Sequence, residues 1–177
     1  MDRDEKLQIV RSAVKTYKHF PKQGIIYKDI FGVFQNVAAM RALKDLLVEH
    51  ASSLNIDVIV GLDSRGFLVG PLIAVELGKP FVPIRKKGKL PGDVAEKTFS
   101  LEYGEATFEV QTESISKDNR VLIVDDLLAT GGSMAAAIEL VKSLEGEVVE
   151  CLIIMELVYL GGRSKLQAPV YSLIEYD

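Results

Sequence analysis

One stretch concentrates residue types that could do chemistry: Val121-Leu122-Ile123-Val124-Asp125-Asp126-Leu127-Leu128-Ala129-Thr130-Gly131-Gly132-Ser133. An apolar run leads into two adjacent acids, then small residues, then a helical pattern. A Thr-Gly-Gly-Ser turn at a helix N-terminus leaves backbone amides free, and the helix dipole adds partial positive charge; together they cradle a phosphate monoester. The hydroxyls of Thr130 and Ser133 can add hydrogen bonds. Two carboxylates would repel a phosphate on its own, but they accept hydrogen bonds from a sugar diol and can support a magnesium ion directly or through water. The stretch therefore reads as a ribose 5-phosphate site. The sugar hydroxyls fall to Asp125 and Asp126 and the phosphate to Ala129, Thr130, Gly131, Gly132 and Ser133, with Leu128 also in the ribose 5-phosphate site. There is no Gly-Lys-Ser/Thr ending and no GxGxxG spacing, which sets aside a nucleoside triphosphate loop and a dinucleotide fingerprint. The plain alternative is an acid pair capping a helix after a strand.

The elements around this stretch alternate. Leu7, Val10, Val14 and Tyr17 recur at helical spacing and predict a helix over about 4–18, ended by Pro21 and Gly24. Residues 25–30 are β-like, and 38–50 form a second helix. Val58-Ile59-Val60 is a short strand that runs into Gly61-Leu62-Asp63-Ser64-Arg65-Gly66 and a helix ending near Gly78. Residues 81–84 are a further strand. Residues 97–103 and 107–111 alternate like a hairpin around Gly104. Strand 121–124, a helix over about 133–144, strand 148–155 and strand 170–174 complete the chain. Apolar strands alternating with helices imply an α/β fold: a central, mostly parallel sheet covered by helices. Ligands of such sheets sit beyond the strands' carboxyl ends. Asp63-Ser64-Arg65, Arg85-Lys86-Lys87 and Asp125-Asp126 are all expected there.

The bulk numbers suit a globular domain. The 177 residues are 48% hydrophobic and 26% charged, which argues against disorder. A net charge of -4 offers no basic face for nucleic acid; the local exception is Arg85-Lys86-Lys87-Gly88-Lys89. One cysteine, Cys151, cannot build an intrachain disulfide or a cysteine zinc site, and its β-type surroundings make it a small core residue. No signal-peptide stretch and no membrane-length apolar run is seen, so no membrane partner and a cytoplasmic location are expected. His19 and His50 match no motif and read as structural or solvated.

The Asp125–Ser133 string resembles the phosphoribosyl pyrophosphate loop of the type I phosphoribosyltransferases, most closely the adenine-using members. The resemblance extends over nearly the whole chain. Phe20-Pro21, Gly24 and Lys28-Asp29-Ile30 resemble that family's adenine-side segment. Gly61 to Phe67 resembles its pyrophosphate loop. Arg85 to Pro91 and Leu101-Glu102-Tyr103-Gly104 resemble its flexible catalytic loop. This implies a type I phosphoribosyltransferase fold: one domain over 1–177, with an N-terminal hood over about 1–35 and a mobile β-hairpin loop over about 85–105. It also implies magnesium, a homodimer and purine salvage, in which adenine displaces pyrophosphate from phosphoribosyl pyrophosphate to give AMP.

The resemblance assigns roles as well. Glu102 handles the purine N7 proton and Tyr103 closes the loop over the site. Asp63, Ser64, Arg65, Arg85 and Lys89 hold pyrophosphate, Arg65 as a fixed positive fork. Ile26 and Lys28 bind adenine. Magnesium is carried mainly by substrate and water near Asp125 and Asp126. Each residue has a plainer reading beside this one. Arg65 could be a surface ion pair at a helix cap, the basic segment a solvated turn, and Glu102 a solvated hairpin residue. The chain departs from the family pattern at Gln23 and Lys28, where Pro and Arg are usual. Lys cannot reproduce a bidentate guanidinium, so the choice of base stays open to hypoxanthine or guanine. A nucleic-acid-binding sensor of phosphoribosyl pyrophosphate and a non-catalytic homologue are the remaining alternatives.

Overall fold

A computed structural model describes residues 1–101 and 103–177. The chain divides into two units, Met1–Ala51 and Ser52–Asp177.

The N-terminal unit opens with helix α1 (Arg3–Ala13), held by a capping box in which Asp2 and Glu5 each accept the other's backbone N–H at 2.9 Å. The expected continuation of this helix to residue 18 does not occur. Val14 turns extended, and Lys15–Lys18 forms strand β1, paired antiparallel to β2 (Ile26–Asp29) with Tyr17 opposite Tyr27. Thr16 and Tyr17 favour strand, and the ladder supplies partners that a lone helical end lacks. The connecting turn contains a cis Phe20–Pro21 bond, and the Gly24 N–H donates to His19 Nδ1 at 3.1 Å. Helix α2 (Phe31–Phe34) is a single turn that the sequence pattern did not signal. Helix α3 (Val37–Ser52) follows and buries Leu43, Leu46 and Leu47.

The second unit is built on a seven-stranded sheet. Its strands are β3 (Val58–Leu62), β4 (Phe81–Lys86), β5 (Val94–Ser100), β6 (Glu105–Gln111), β7 (Arg120–Leu128), β8 (Glu147–Leu157) and β9 (Val170–Tyr176), in the order β5-β6-β4-β3-β7-β8-β9. Strands β4, β3, β7, β8 and β9 run parallel, and β6 and β5 add an antiparallel edge. Helix α4 (Gly66–Leu77) joins β3 to β4, and α5 (Gly132–Ser143) joins β7 to β8. This is the mostly parallel α/β arrangement expected. All five residues of β3 are buried, as a central strand covered on both faces requires.

The core gathers Val60, Val82, Val121, Ile123, Val141 and Ile153; each such side chain contributes about 1.5–3 kcal/mol on burial. Cys151 belongs to it, and its thiol is pushed up to about 12 by burial and by the nearby Glu150 charge. Two 3-10 turns, Val158–Leu160 and Gly162–Lys165, connect β8 to β9. Among the described residues no helix is long and apolar enough to cross a membrane.

Candidate active site

The carboxyl ends of β3, β4 and β7 meet in a cleft of about 690 Å³ built entirely from the second unit. Its walls include Asp63, Ser64 and Arg65 after β3, Lys86 at the end of β4, and the continuous stretch 125–133. Phe99, Ser100 and Leu101 of the hairpin and Lys165 of the second 3-10 turn complete it.

Strand β7 runs farther than its apolar core. Asp125 and Asp126 lie inside it, with Asp125 opposite Ile153 of β8, and not in the loop beyond. The parallel ladder therefore fixes the backbone that carries both acids. Both acids line the cleft. Asp126 is buried, with its side chain 6% exposed, and receives the Arg65 Nε–H at 2.6 Å. Asp125 is half-buried, and its Oδ1 accepts the Asp126 backbone N–H at 2.9 Å. Burial, then the neighbouring Asp126 charge, holds the Asp125 carboxyl well above the usual carboxylate range; Arg65 opposes this only in part. A carboxyl so placed gains from a ligand hydroxyl or a cation beside it.

Arg65 reaches Asp126 because α4 starts hard against β7. A Cβ on Gly66 would lie 2.7 Å from the Val124 carbonyl oxygen, so only glycine lets the helix begin there. The loop before it contains a cis Asp63–Ser64 peptide bond. Arg85 does not point to the cleft wall. Its Nε–H donates to Asp63 Oδ2 at 3.1 Å, and its guanidinium sits 5.8 Å from the centre of the Phe67 ring. Lys86, one residue on, lines the cleft instead. Lys89 is not on the wall either; its backbone N–H and that of Leu90 donate to Glu109 Oε1 at 2.9 and 2.8 Å. Burial pushes the Glu109 carboxyl up, but these amides, that of Gly88 and the Lys87 charge outweigh it and hold it below its usual range.

The phosphate cradle has the form its sequence implies. Gly131 caps α5 in the left-handed region (φ 87°), and no side chain caps the helix. The first amides of α5 are thus left to a ligand beside Thr130, Gly132 and Ser133, which line the cleft. A Cβ on Gly132 would lie 3.6 Å from the Ser100 carbonyl oxygen, so the β5 end of the hairpin covers the cradle. Tyr103 is exposed, and the Leu101 N–H donates to the Gly104 carbonyl at 2.9 Å. Glu102 lies outside the described residues. Ile26 and Lys28 are on β2 of the N-terminal unit, where Ile26 is half exposed and the Lys28 ammonium donates to the Thr16 hydroxyl at 3.0 Å.

Among the described residues no cluster of three or more His, Cys, Asp or Glu could hold a metal. Asp126 and Asp63 are already paired with arginines. This donor set fits a magnesium ion that arrives on a polyphosphate and keeps its waters, and does not fit an all-protein cage.

Comparison with known proteins agrees with this geometry. The Phosphoribosyl transferase domain family matches residues 33–175. An adenine phosphoribosyltransferase of Drosophila pseudoobscura pseudoobscura is 52% identical over 175 residues, covering 98% of this chain and 97% of that protein. The human adenine phosphoribosyltransferase is 46% identical over 178 residues, covering 98% and 99%. The crystal structure of the Saccharomyces cerevisiae enzyme, complexed with D-2,5-dideoxy-2,5-imino-altritol 1,6-bisphosphate and adenine, superposes with a TM-score of 0.91 at 46% identity, covering 96% of this chain and 99% of that one. With fold, loop and whole-length similarity in agreement, the chain belongs to the phosphoribosyltransferase family, among the adenine phosphoribosyltransferases.

Proposed function

We propose that this chain transfers the 5-phosphoribosyl group of phosphoribosyl pyrophosphate to adenine, giving AMP and pyrophosphate. The observation that carries the reading is the cleft where uncapped α5 amides, two β7 carboxylates and Arg65 converge. In the reaction a base nitrogen forms a bond to the anomeric carbon as the carbon–oxygen bond to pyrophosphate breaks. The electron pair leaves with pyrophosphate, and the base gives up a proton. Positive charge grows on the sugar ring in between, so the work is positioning, charge stabilisation and proton handling.

Each group in the chain then has a task. The α5 amides with Thr130 and Ser133 bind the 5-phosphate, backed by Leu128, Ala129, Gly131 and Gly132. Asp125 and Asp126 hold the ribose hydroxyls. Arg65, with Asp63 and Ser64, faces the pyrophosphate, and the basic segment from Arg85 to Lys89 supplies further charge. The Arg85–Asp63 pair supports Arg85 as an organiser of that segment, and Lys86 as the side chain that meets the ligand. Ile26 packs on the adenine and Lys28 contributes to its binding. Glu102 handles the N7 proton, and Tyr103 with the segment 85–105 closes over the sugar to exclude water. Magnesium, when bound, neutralises pyrophosphate charge near Asp125 and Asp126. Residues 1–177 act as one catalytic domain, with about 1–35 as the base-side segment. A cytoplasmic homodimer completes the proposal. Its supports are the exposed apolar side chains of Leu72 and Val75 on α4 and a lone, buried cysteine.

The test is product formation with phosphoribosyl pyrophosphate, magnesium and a panel of adenine, hypoxanthine and guanine. AMP from adenine alone supports the reading and shows that Lys28 serves where Arg is usual. Product from hypoxanthine or guanine instead would keep the sugar site and overturn the base. Glu102→Ala is expected to lower kcat by about 100-fold or more.

A further inference from the structure

Among the described residues two buried carboxylates, Glu109 and Glu156, do not line the cleft, and Glu156 is held by an unusually complete set of donors. It sits near the end of β8 with its side chain 4% exposed. Arg163 grips it with two parallel bonds, Nε to Oε1 at 3.1 Å and Nη2 to Oε2 at 2.5 Å. The Ser172 hydroxyl of β9 donates to the same Oε2. Arg163 goes on to the Val170 carbonyl through Nη1 at 2.8 Å and lies 3.6 Å from Glu175. A buried bidentate pair fixes geometry as well as charge. Here it ties the short turn Gly162–Lys165 to two neighbouring strands.

That turn has no role in the sheet, but it touches the phosphate cradle. A Cβ on Gly162 would lie 2.3 Å from the Ala129 carbonyl oxygen, and a Cβ on Gly131 would lie 2.5 Å from the Gly162 carbonyl oxygen. The two backbones are in contact with no side chain between them. Two residues after Arg163, Lys165 is exposed and lines the same cleft as residues 128–133.

We propose that the Glu156–Arg163–Ser172 network is a positioning device for the phosphate cradle, and that Lys165 on the same turn is a binding residue for the sugar 5-phosphate. The network sets the turn, the turn backs Ala129 to Gly131 from behind, and Lys165 adds a cation that the cradle itself lacks. Arg163 and Glu156 act through the backbone and do not touch substrate. This rests on the reading of the cleft as a ribose 5-phosphate site.

The test is calorimetric binding of ribose 5-phosphate to the full chain, which needs no turnover, alongside steady-state kinetics and thermal melting. Lys165→Met is expected to weaken ribose 5-phosphate about fivefold and raise the KM for phosphoribosyl pyrophosphate to match, with the melting temperature and the KM for adenine unchanged. Arg163→Ala is expected to weaken binding about tenfold or more, with Arg163→Lys recovering part of the loss because it restores charge but not the fork. Should Arg163→Ala fail to fold, Arg163→Lys and Lys165→Met decide the matter. Folded variants that bind ribose 5-phosphate within about twofold of the unaltered chain would overturn this proposal alone. An unaltered chain that does not bind ribose 5-phosphate would overturn the site reading and this proposal with it.

Discussion

Among the described residues three charged side chains are buried, Glu109, Asp126 and Glu156. Each has its partners, and each stands at or beside the cleft's loops. Asp126 depends on one close arginine contact, so Arg65 has a structural task as well as a ligand task. Arg65→Ala leaves a carboxylate with 6% exposure without that partner, at a cost of about 3 kcal/mol. A lowered urea midpoint should therefore accompany a rise of about 100-fold in the KM for phosphoribosyl pyrophosphate. An unchanged KM would remove Arg65 from the site.

Glu156 carries a pH-dependent share of the stability. The Arg163 hydrogen bonds hold its carboxyl below the ordinary value of 4.5 against the opposing pull of burial. A depressed folded-state pKa means the pair's stabilisation is fully present above the unfolded value and is lost as pH falls through the folded one. Glu156→Gln should lower the melting temperature at pH 7. The gap to the unaltered chain should close as pH falls below about 4.5. A gap that stayed constant down to pH 3 would show that the charge contributes nothing.

At the scale of elements, the loop before α5 is the most constrained piece of backbone in the site. Gly131 adopts φ 87° and has Gly162 at its back. Gly131→Ala adds a left-handed penalty of about 1–2 kcal/mol and a clash with a backbone oxygen that cannot step aside. Binding of ribose 5-phosphate should fall at least about tenfold, more than for any change at Thr130. Equal losses at the two positions would mean that loop geometry is not what binds. This loop was legible in the sequence because an apolar strand, small residues and a helical pattern follow one another without interruption. Strand β1 was not legible. Lys15-Thr16-Tyr17-Lys18 continues the helical spacing of Leu7 and Val10, and only the antiparallel partner Ile26–Asp29 makes it a strand. The hairpin was found, though its first strand, β5, starts at Val94, earlier than its alternation suggests, because pairing with Gln111 extends it. The 3-10 turns carry no periodic signal at all.

For the whole molecule, the parallel sheet and its carboxyl-end site followed from runs such as Val58–Val60 and Val121–Val124, which are too apolar to face water on either side. The sequence could not show which side chains of distant segments share the cleft. Arg85 stood out in the basic segment, yet its partner is Asp63, and Lys86 lines the wall. Phe99 and Lys165 reach the cleft by tertiary placement alone, since neither belongs to a motif.

The proposed reaction is a transfer between two small molecules, and its stoichiometry is the decisive measurement. The purified chain should be mixed with phosphoribosyl pyrophosphate, magnesium and adenine, with AMP and inorganic pyrophosphate measured in the same samples over time. Both should appear together in equal amounts, and neither should form when adenine is left out. Pyrophosphate released without AMP, or no product from adenine at all, would contradict it.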